Sequence, residues 1–145
     1  MVLGTCYRAY YFVYGTPELH THTRWRAVQN LLAAEPVPDL AFTLEVGCGE
    51  GVMSFQVARK YKRWKVLGID ANQQSIEFAR LAKVRNGIDN VEFQVHLAPR
   101  LEVVSSASCD AVLLIDVLEH VTEDKDFLSE VYRVLKPGGF VILSV

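Results

Sequence analysis

The sequence predicts an α/β fold of the doubly wound kind: a parallel sheet with helices on both faces. Three observations predict it. First, short continuously apolar runs recur along the chain with amphipathic 3.6-period segments between them, and strands buried on both faces have this unalternating character. Second, the run Leu40-Ala41-Phe42-Thr43-Leu44 leads directly into Glu45-Val46-Gly47-Cys48-Gly49-Glu50-Gly51, which carries three glycines at alternate positions. Glycine serves where backbone turns sharply or meets a ligand with no side chain in the way. A strand, a glycine turn and a helix N-terminus form a corner that cradles the polar end of a nucleotide-like cofactor. Third, Asp70 closes the next apolar run. Its two acceptor oxygens match the vicinal hydroxyls of a ribose.

The elements follow in order. Residues 1–40 form an N-terminal segment, with Tyr7, Tyr10, Tyr11, Phe12 and Tyr14 crowded at its start. A helix then begins at Thr16 as N-cap, with Pro17 in the first helical position and Glu18 in the first turn. It shows Trp25, Val28, Leu31 and Leu32 on one face and ends before Pro36 and Pro38. Residues 41–145 form the α/β core. After the glycine corner, Val52, Met53, Phe55, Val57 and Ala58 pattern a helix to about Tyr61, and residues 65–69 make a second strand ending at Asp70. Residues 75–85 read as a helix with Phe78, Leu81 and Ala82 inward and Asn86-Gly87 as its stop. Strands three and four cover 91–95 and 109–115. The last helix has Thr122 as cap, Glu123, Asp124 and Asp126 in its first turn, and Arg133 and Lys136 in its last. Phe127, Leu128, Val131, Val134 and Leu135 form its stripe, Pro137-Gly138-Gly139 ends it, and residues 140–145 are a fifth strand.

Bulk properties exclude several function classes. The 145 residues suit one domain, and with half of them apolar and 22% charged the chain is an ordinary globular one. A net charge of −2 gives no overall attraction for nucleic acid. The basic run from Arg59 to Lys65 falls at a helix C-terminus, where cations suit the dipole. Cys6, Cys48 and Cys109 are odd in number and widely spaced, which points to reduced thiols in a cytoplasmic setting. No apolar run approaches the roughly 20 residues of a membrane span, and the first residues lack the basic start, apolar block and small-residue cleavage site expected of a signal peptide. His20 and His22 fall on different faces of a helix, so no metal site is expected.

The corner itself serves two cofactor classes. A dinucleotide fingerprint, G-x-G-x-x-G, needs glycine at position 52, where the chain has Val52. An acid at the end of the second strand is common to nicotinamide and adenosyl cofactors. A nicotinamide-dependent oxidoreductase is therefore the weakest of three readings.

Four blocks carry a resemblance: Leu44-Glu45-Val46-Gly47-Cys48-Gly49-Glu50-Gly51; Gly68-Ile69-Asp70; Cys109-Asp110-Ala111-Val112 through Asp116-Val117-Leu118-Glu119-His120-Val121; and Leu135-Lys136-Pro137-Gly138-Gly139-Phe140. In this order and spacing the chain resembles a class I S-adenosylmethionine-dependent methyltransferase of the small-molecule, type 11-like kind. The resemblance implies a Rossmann-like sheet with strand order 3-2-1-4-5. It implies that Gly47, Cys48, Gly49 and Gly51 meet the methionine part of S-adenosylmethionine, with Glu45 facing its amino acid end. Asp70 corresponds to the ribose ligand, Ala71 and Asn72 border the adenine, and Asp116 stands where cofactor meets acceptor.

One departure concerns the turn after the third strand. Relatives often carry an acid there for the adenine amine, whereas this chain reads His96-Leu97-Ala98. Losing that hydrogen bond should cost roughly 1 kcal/mol, about fivefold in affinity. Another concerns the end of the chain. Members of the family continue beyond the fifth strand with a helix and an antiparallel hairpin, and this sequence stops at Val145. The expectation is thus an uncovered fifth-strand edge, met by a homo-oligomer or a partner chain. The function expected is methyl transfer to a small-molecule acceptor, with no nucleic acid or membrane partner. The alternative is a non-catalytic S-adenosylmethionine-binding module or fragment. No catalytic residue is fixed by the sequence. His120, after the fourth strand, is the candidate base, since imidazole suits proton transfer near neutral pH. The aromatic N-terminal segment is a candidate lid over the acceptor pocket.

Overall fold

The structure, a computed structural model, describes residues 8–12, 20–122 and 124–144, with backbone alone for 8–12 and 20–22. Its elements are β1 (Arg8–Phe12), α1 (His20–Ala34), β2 (Phe42–Val46), α2 (Val52–Lys60), β3 (Lys65–Asp70), α3 (Gln73–Asn86), β4 (Val91–Val95), β5 (Cys109–Ile115), a 3-10 turn (Leu118–His120), α4 (Asp124–Val134) and β6 (Leu135–Ser144). The expected helix start at Thr16 to Glu18 lies outside the described residues, as do the side chains of His20 and His22. No helix among the described residues is long and apolar enough to cross a membrane.

All strand pairs are parallel, in the order β1-β6-β5-β2-β3-β4. The expected 3-2-1-4-5 arrangement is present as β4-β3-β2-β5-β6. The expectation of an uncovered fifth-strand edge is corrected: β1 lies along β6, from Arg8 opposite Phe140 to Phe12 opposite Ser144. An open β6 edge presents a row of unpaired N–H and C=O groups, and the aromatic segment 8–12 has the propensity to pair with them.

Helices cover both faces. On one face Val28 and Leu32 of α1, Val57 and Ala58 of α2, and Ile76 and Ala79 of α3 pack against Val66, Phe93 and Leu113 of the sheet. On the other, Phe127, Val131 and Val134 of α4 meet Leu44, Val46, Ile69, Val112 and Leu114. Burying such side chains contributes roughly 1.5–3 kcal/mol each, which makes these two layers the main source of stability.

Two helical expectations need correction. In α3 the buried residues are Ile76 and Ala79, while Phe78 and Leu81 are 55% and 71% exposed. The contact with β3 and β4 sets the helix phase, and small Ala79 permits the close approach. At the other end, α4 stops at Val134 and β6 begins at Leu135. Cys109 pairs with Leu135 and Ala111 with Phe140, so residues 136–139 bulge out of the strand. Pro137-Gly138-Gly139 is therefore a strand bulge, and Lys136 is not a helix-end cation. Lys136 Nζ instead donates to Asp110 Oδ2 at 2.7 Å, and the same oxygen accepts from the Phe42 N–H at 2.8 Å. This carboxylate ties the starts of β2, β5 and β6 together.

Candidate functional site

β2 is the switch point of the sheet. The chain runs from it to β3 and β4 on one side and to β5 and β6 on the other, leaving a crevice beyond the carboxyl ends of β2, β3 and β5. A cavity of about 450 Å³ occupies this crevice. Of the residues expected at a site, Gly47, Asp70, Ala71, Leu97, Ala98, Asp116 and His120 line it. Glu45, Cys48, Gly49, Gly51 and Asn72 lie behind or beside its wall.

The glycine loop is pinned from below and from the side. The N–H groups of Gly47 and Cys48 donate to the Ile69 carbonyl at 2.8 and 3.0 Å, and the Gly51 N–H donates to the Cys48 carbonyl at 2.8 Å. Gly47 has φ +71°, and a Cβ there would run into the Val117 side chain, which also lines the cavity. Gly51 has φ +83°, and a Cβ would stand 2.5 Å from the Phe93 ring. Gly51 offers no side-chain cap to α2, and Glu45 accepts the Ser54 N–H from below, so the N–H groups ahead of Ser54 are the ones left to an anionic group in the corner.

Asp70 is oriented by backbone. Its Oδ2 accepts from the Gly49 N–H at 2.7 Å and its Oδ1 from the Asn72 N–H at 2.8 Å. Each oxygen keeps a further acceptor direction. Asn72 spends its amide oxygen on the N–H groups of Gln74 and Ser75, capping α3.

Glu45 is placed differently from its expected position facing the ligand. It is 3% exposed, lies beneath the loop, and accepts a hydrogen bond from the buried Ser54 hydroxyl of α2. Burial pushes its carboxyl up to about 7, against the pull of the Ser54 hydrogen bonds, and the Asp70 charge adds to the rise. Cys48 is also buried, and desolvation raises its thiol well above the ordinary range, which makes it a packing residue beside Gly68.

On the other flank, Asp116 follows β5 with φ +53°, a conformation that Asp tolerates better than most residues. Its N–H donates to the Ser144 carbonyl at 3.1 Å, its Oδ1 accepts from the Ser144 hydroxyl at 2.8 Å, and its Oδ2 pairs with Arg24 of α1. The end of β6 and the N-terminal helix thus converge on one cavity-lining carboxylate.

The third wall is the segment after β4. His96 Nε2 faces the Arg100 carbonyl at 2.5 Å and the Glu102 carboxylate at 3.5 Å, while Leu97 is 73% exposed. The segment is held from α4: Glu130 accepts from the Leu101 N–H at 2.9 Å, and Arg133 donates to the Leu101 and Val104 carbonyls at 2.9 and 3.1 Å. Sequence reasoning did not assign Val46, Pro99, Val117, Val121 and Thr122 to the site, although they line the cavity. Val117 and Val121 belong to the block after the fourth strand, so that signal was present.

The residues present fit an adenosyl cofactor: a carboxylate free to accept two hydroxyls, a glycine turn leading into a helix N-terminus, and a cradle that a Cβ at position 47 would fill. Residues 44–143 match a family model described as a methyltransferase domain. The ubiquinone biosynthesis O-methyltransferase of Leptothrix cholodnii is 34% identical over 101 residues, covering 70% of this chain and 42% of that protein. This chain therefore spans less than half the length of that relative. The solved PH0226 protein from Pyrococcus horikoshii OT3 superposes with a TM-score of 0.74 at 29% identity, covering 88% of this chain and 59% of that one. Coclaurine N-methyltransferase bound to N-methylheliamine and SAH shares the fold, with a TM-score of 0.72 at 22% identity, covering 97% of this chain and 40% of that one. With a methyltransferase model matched over residues 44–143, on a sheet of the expected order, the chain belongs to the class I S-adenosylmethionine-dependent methyltransferases.

Proposed function

We propose that this chain binds S-adenosylmethionine in the crevice beyond β2 and serves the methylation of a hydroxyl oxygen on a small-molecule acceptor. One observation carries the reading: Gly47, Asp70 and Asp116, from the ends of three adjacent strands, line a single cavity. The oxygen acceptor is supported by relatives named as O-methyltransferases. Asp70 would hold the ribose hydroxyls, and the loop from Gly47 to Gly51 with the start of α2 would hold the methionine carboxylate. When bound, S-adenosylmethionine supplies an electrophilic methyl group. The protein contributes alignment, worth roughly 7–11 kcal/mol when donor and acceptor are well placed, and exclusion of water. The N-terminal segment, residues 1–40, would help close the pocket, since Arg24 of α1 pairs with Asp116 at its edge. Free, buried Cys48 and Cys109 accord with a reducing cytoplasmic setting.

A hydroxyl acceptor must lose its proton, and the His120 imidazole lines the cavity where it could take it. His120→Asn should then lower kcat by about 10²–10⁴-fold while leaving S-adenosylhomocysteine affinity unchanged. Unchanged turnover across about pH 6–9 would remove His120 from that role. Calorimetry with S-adenosylmethionine, S-adenosylhomocysteine and NAD tests the binding reading, and NAD binding alone would overturn it. A panel of hydroxyl and amine acceptors tests transfer. Cofactor binding without transfer to any of them would favour a non-catalytic module.

A further inference from the structure

We infer that Arg24 of α1, through its ion pair with Asp116, lowers the preference of the site for a sulfonium ligand over the corresponding thioether. The inference rests on the reading that the cavity holds S-adenosylmethionine. Two carboxylates, Asp70 and Asp116, line the cavity, and among the described residues no lysine or arginine does. Asp70 ends β3 and Asp116 follows β5, with β2 and its Gly47 between them. A ligand lying across the end of β2 is therefore exposed to both charges.

The two carboxylates are balanced differently. Asp70 accepts from the Gly49 and Asn72 N–H groups, which orient it and carry no net charge. Asp116 accepts from the Ser144 hydroxyl on Oδ1, and its Oδ2 pairs with Arg24 Nη2. The pair is 28% and 30% exposed, so solvent screens it only in part. Arg24 Nε is buried and has no hydrogen-bond partner among the described residues. The contact with Asp116 offsets that lost hydration and holds a full positive charge against one wall of the cavity.

The consequence is electrostatic. S-adenosylmethionine and S-adenosylhomocysteine differ only in the methyl group and the positive charge on sulfur. Contacts common to both cancel in the ratio of their affinities, which then reads the charge of the walls. A cation on Asp116 opposes the sulfonium and leaves the neutral thioether nearly unaffected. Removing that cation leaves a carboxylate that attracts the sulfonium alone.

The test is calorimetry with both ligands at low salt, on the native protein and on variants of the pair. Arg24→Met should shift the affinity ratio toward S-adenosylmethionine by about fivefold. Asp116→Asn leaves the guanidinium unmatched and should shift it toward S-adenosylhomocysteine by about the same factor. Arg24→Lys keeps the charge and should keep the native ratio, even where both affinities fall. A merely structural role for Arg24 would move both ligands together. A ratio that Arg24→Met leaves within about twofold of native overturns the inference and leaves the cofactor reading intact. Shifts of the same sign in Arg24→Met and Asp116→Asn overturn it as well. Should Arg24→Met fail to fold, an unchanged ratio in Asp116→Asn is the refuting result. If the native protein binds neither ligand, the cofactor reading fails and the inference falls with it.

Discussion

Glu45→Gln should stabilise the protein above neutral pH and leave its stability unchanged in acid. Glu45 is 3% exposed, and the Ser54 hydroxyl is its hydrogen-bond donor. Desolvation is the main reason its carboxyl rises from 4.5 to about 7. In the unfolded chain the group titrates near 4.5, so between that pH and about 7 the folded state binds more protons than the unfolded one. Stability must then fall as pH rises through this window. Below it both states are protonated and the penalty is absent. Above about 7 the penalty is complete. At about 1.4 kcal/mol per pKa unit, the gap corresponds to about 3 kcal/mol, or about 10 °C in a domain of this size. Glutamine keeps an oxygen for Ser54 and cannot ionise. Melting of both proteins without ligand between about pH 4 and 8.5 should show curves that coincide in acid and separate on raising the pH. Parallel pH profiles would refute the assignment of Glu45 as a buried carboxyl neutral in acid.

Two further perturbations probe the walls of the cavity. Gly51→Ala puts a Cβ 2.5 Å from the buried Phe93 ring at φ +83°, whereas Gly49→Ala meets nothing within 4 Å at φ +52°. The first should cost about 3 kcal/mol or more and the second about 1 kcal/mol, so equal denaturation midpoints would sink the packing argument. Arg24→Met combined with Asp116→Asn in a double-mutant cycle should give a coupling of about 1 kcal/mol, as the pair is 28% and 30% exposed. Additive effects would mean that α1 is not tied to the site through this pair.

The strand positions were legible because most core strands are short apolar runs set off by turn signals such as Gly47 and Gly87, whereas their order in the sheet came from the family resemblance; β4, Val-Glu-Phe-Gln-Val, alternates instead. Asp70 was legible because it ends an apolar run and so stands at the carboxyl edge, and Asp116 through the resemblance of the block that carries it. Elements set by distant partners were not. Nothing local to residues 8–12 specifies that they pair with β6, some 130 residues on, since aromatic content alone reads equally as packing. In α3 both stripes have helical spacing, and only contact with the sheet chooses Ile76 and Ala79 over Phe78 and Leu81. Glu45 could have been placed by strand parity. It shares a face with Thr43, toward α2, while Leu44 and Val46 point to the α4 side. Arg133 was read as a dipole partner, and it does more: it grips the loop carrying the third wall.

Three carboxylates lie in or behind the wall of the cavity, and the chain treats each differently. Glu45 is withdrawn beneath the loop, where burial keeps it protonated in acid. Asp116 is matched by the Arg24 guanidinium and the Ser144 hydroxyl. Asp70 alone faces the cavity with backbone N–H groups as its only partners among the described residues. Unbalanced carboxylates would hold a cation more tightly than a neutral product and so favour the state before transfer over the one after it. On the proposed reading, charge matching at Asp116 and burial at Glu45 would limit that bias while leaving Asp70 with acceptor directions to spare. Arg24 is then an electrostatic part of the pocket as well as an anchor for α1.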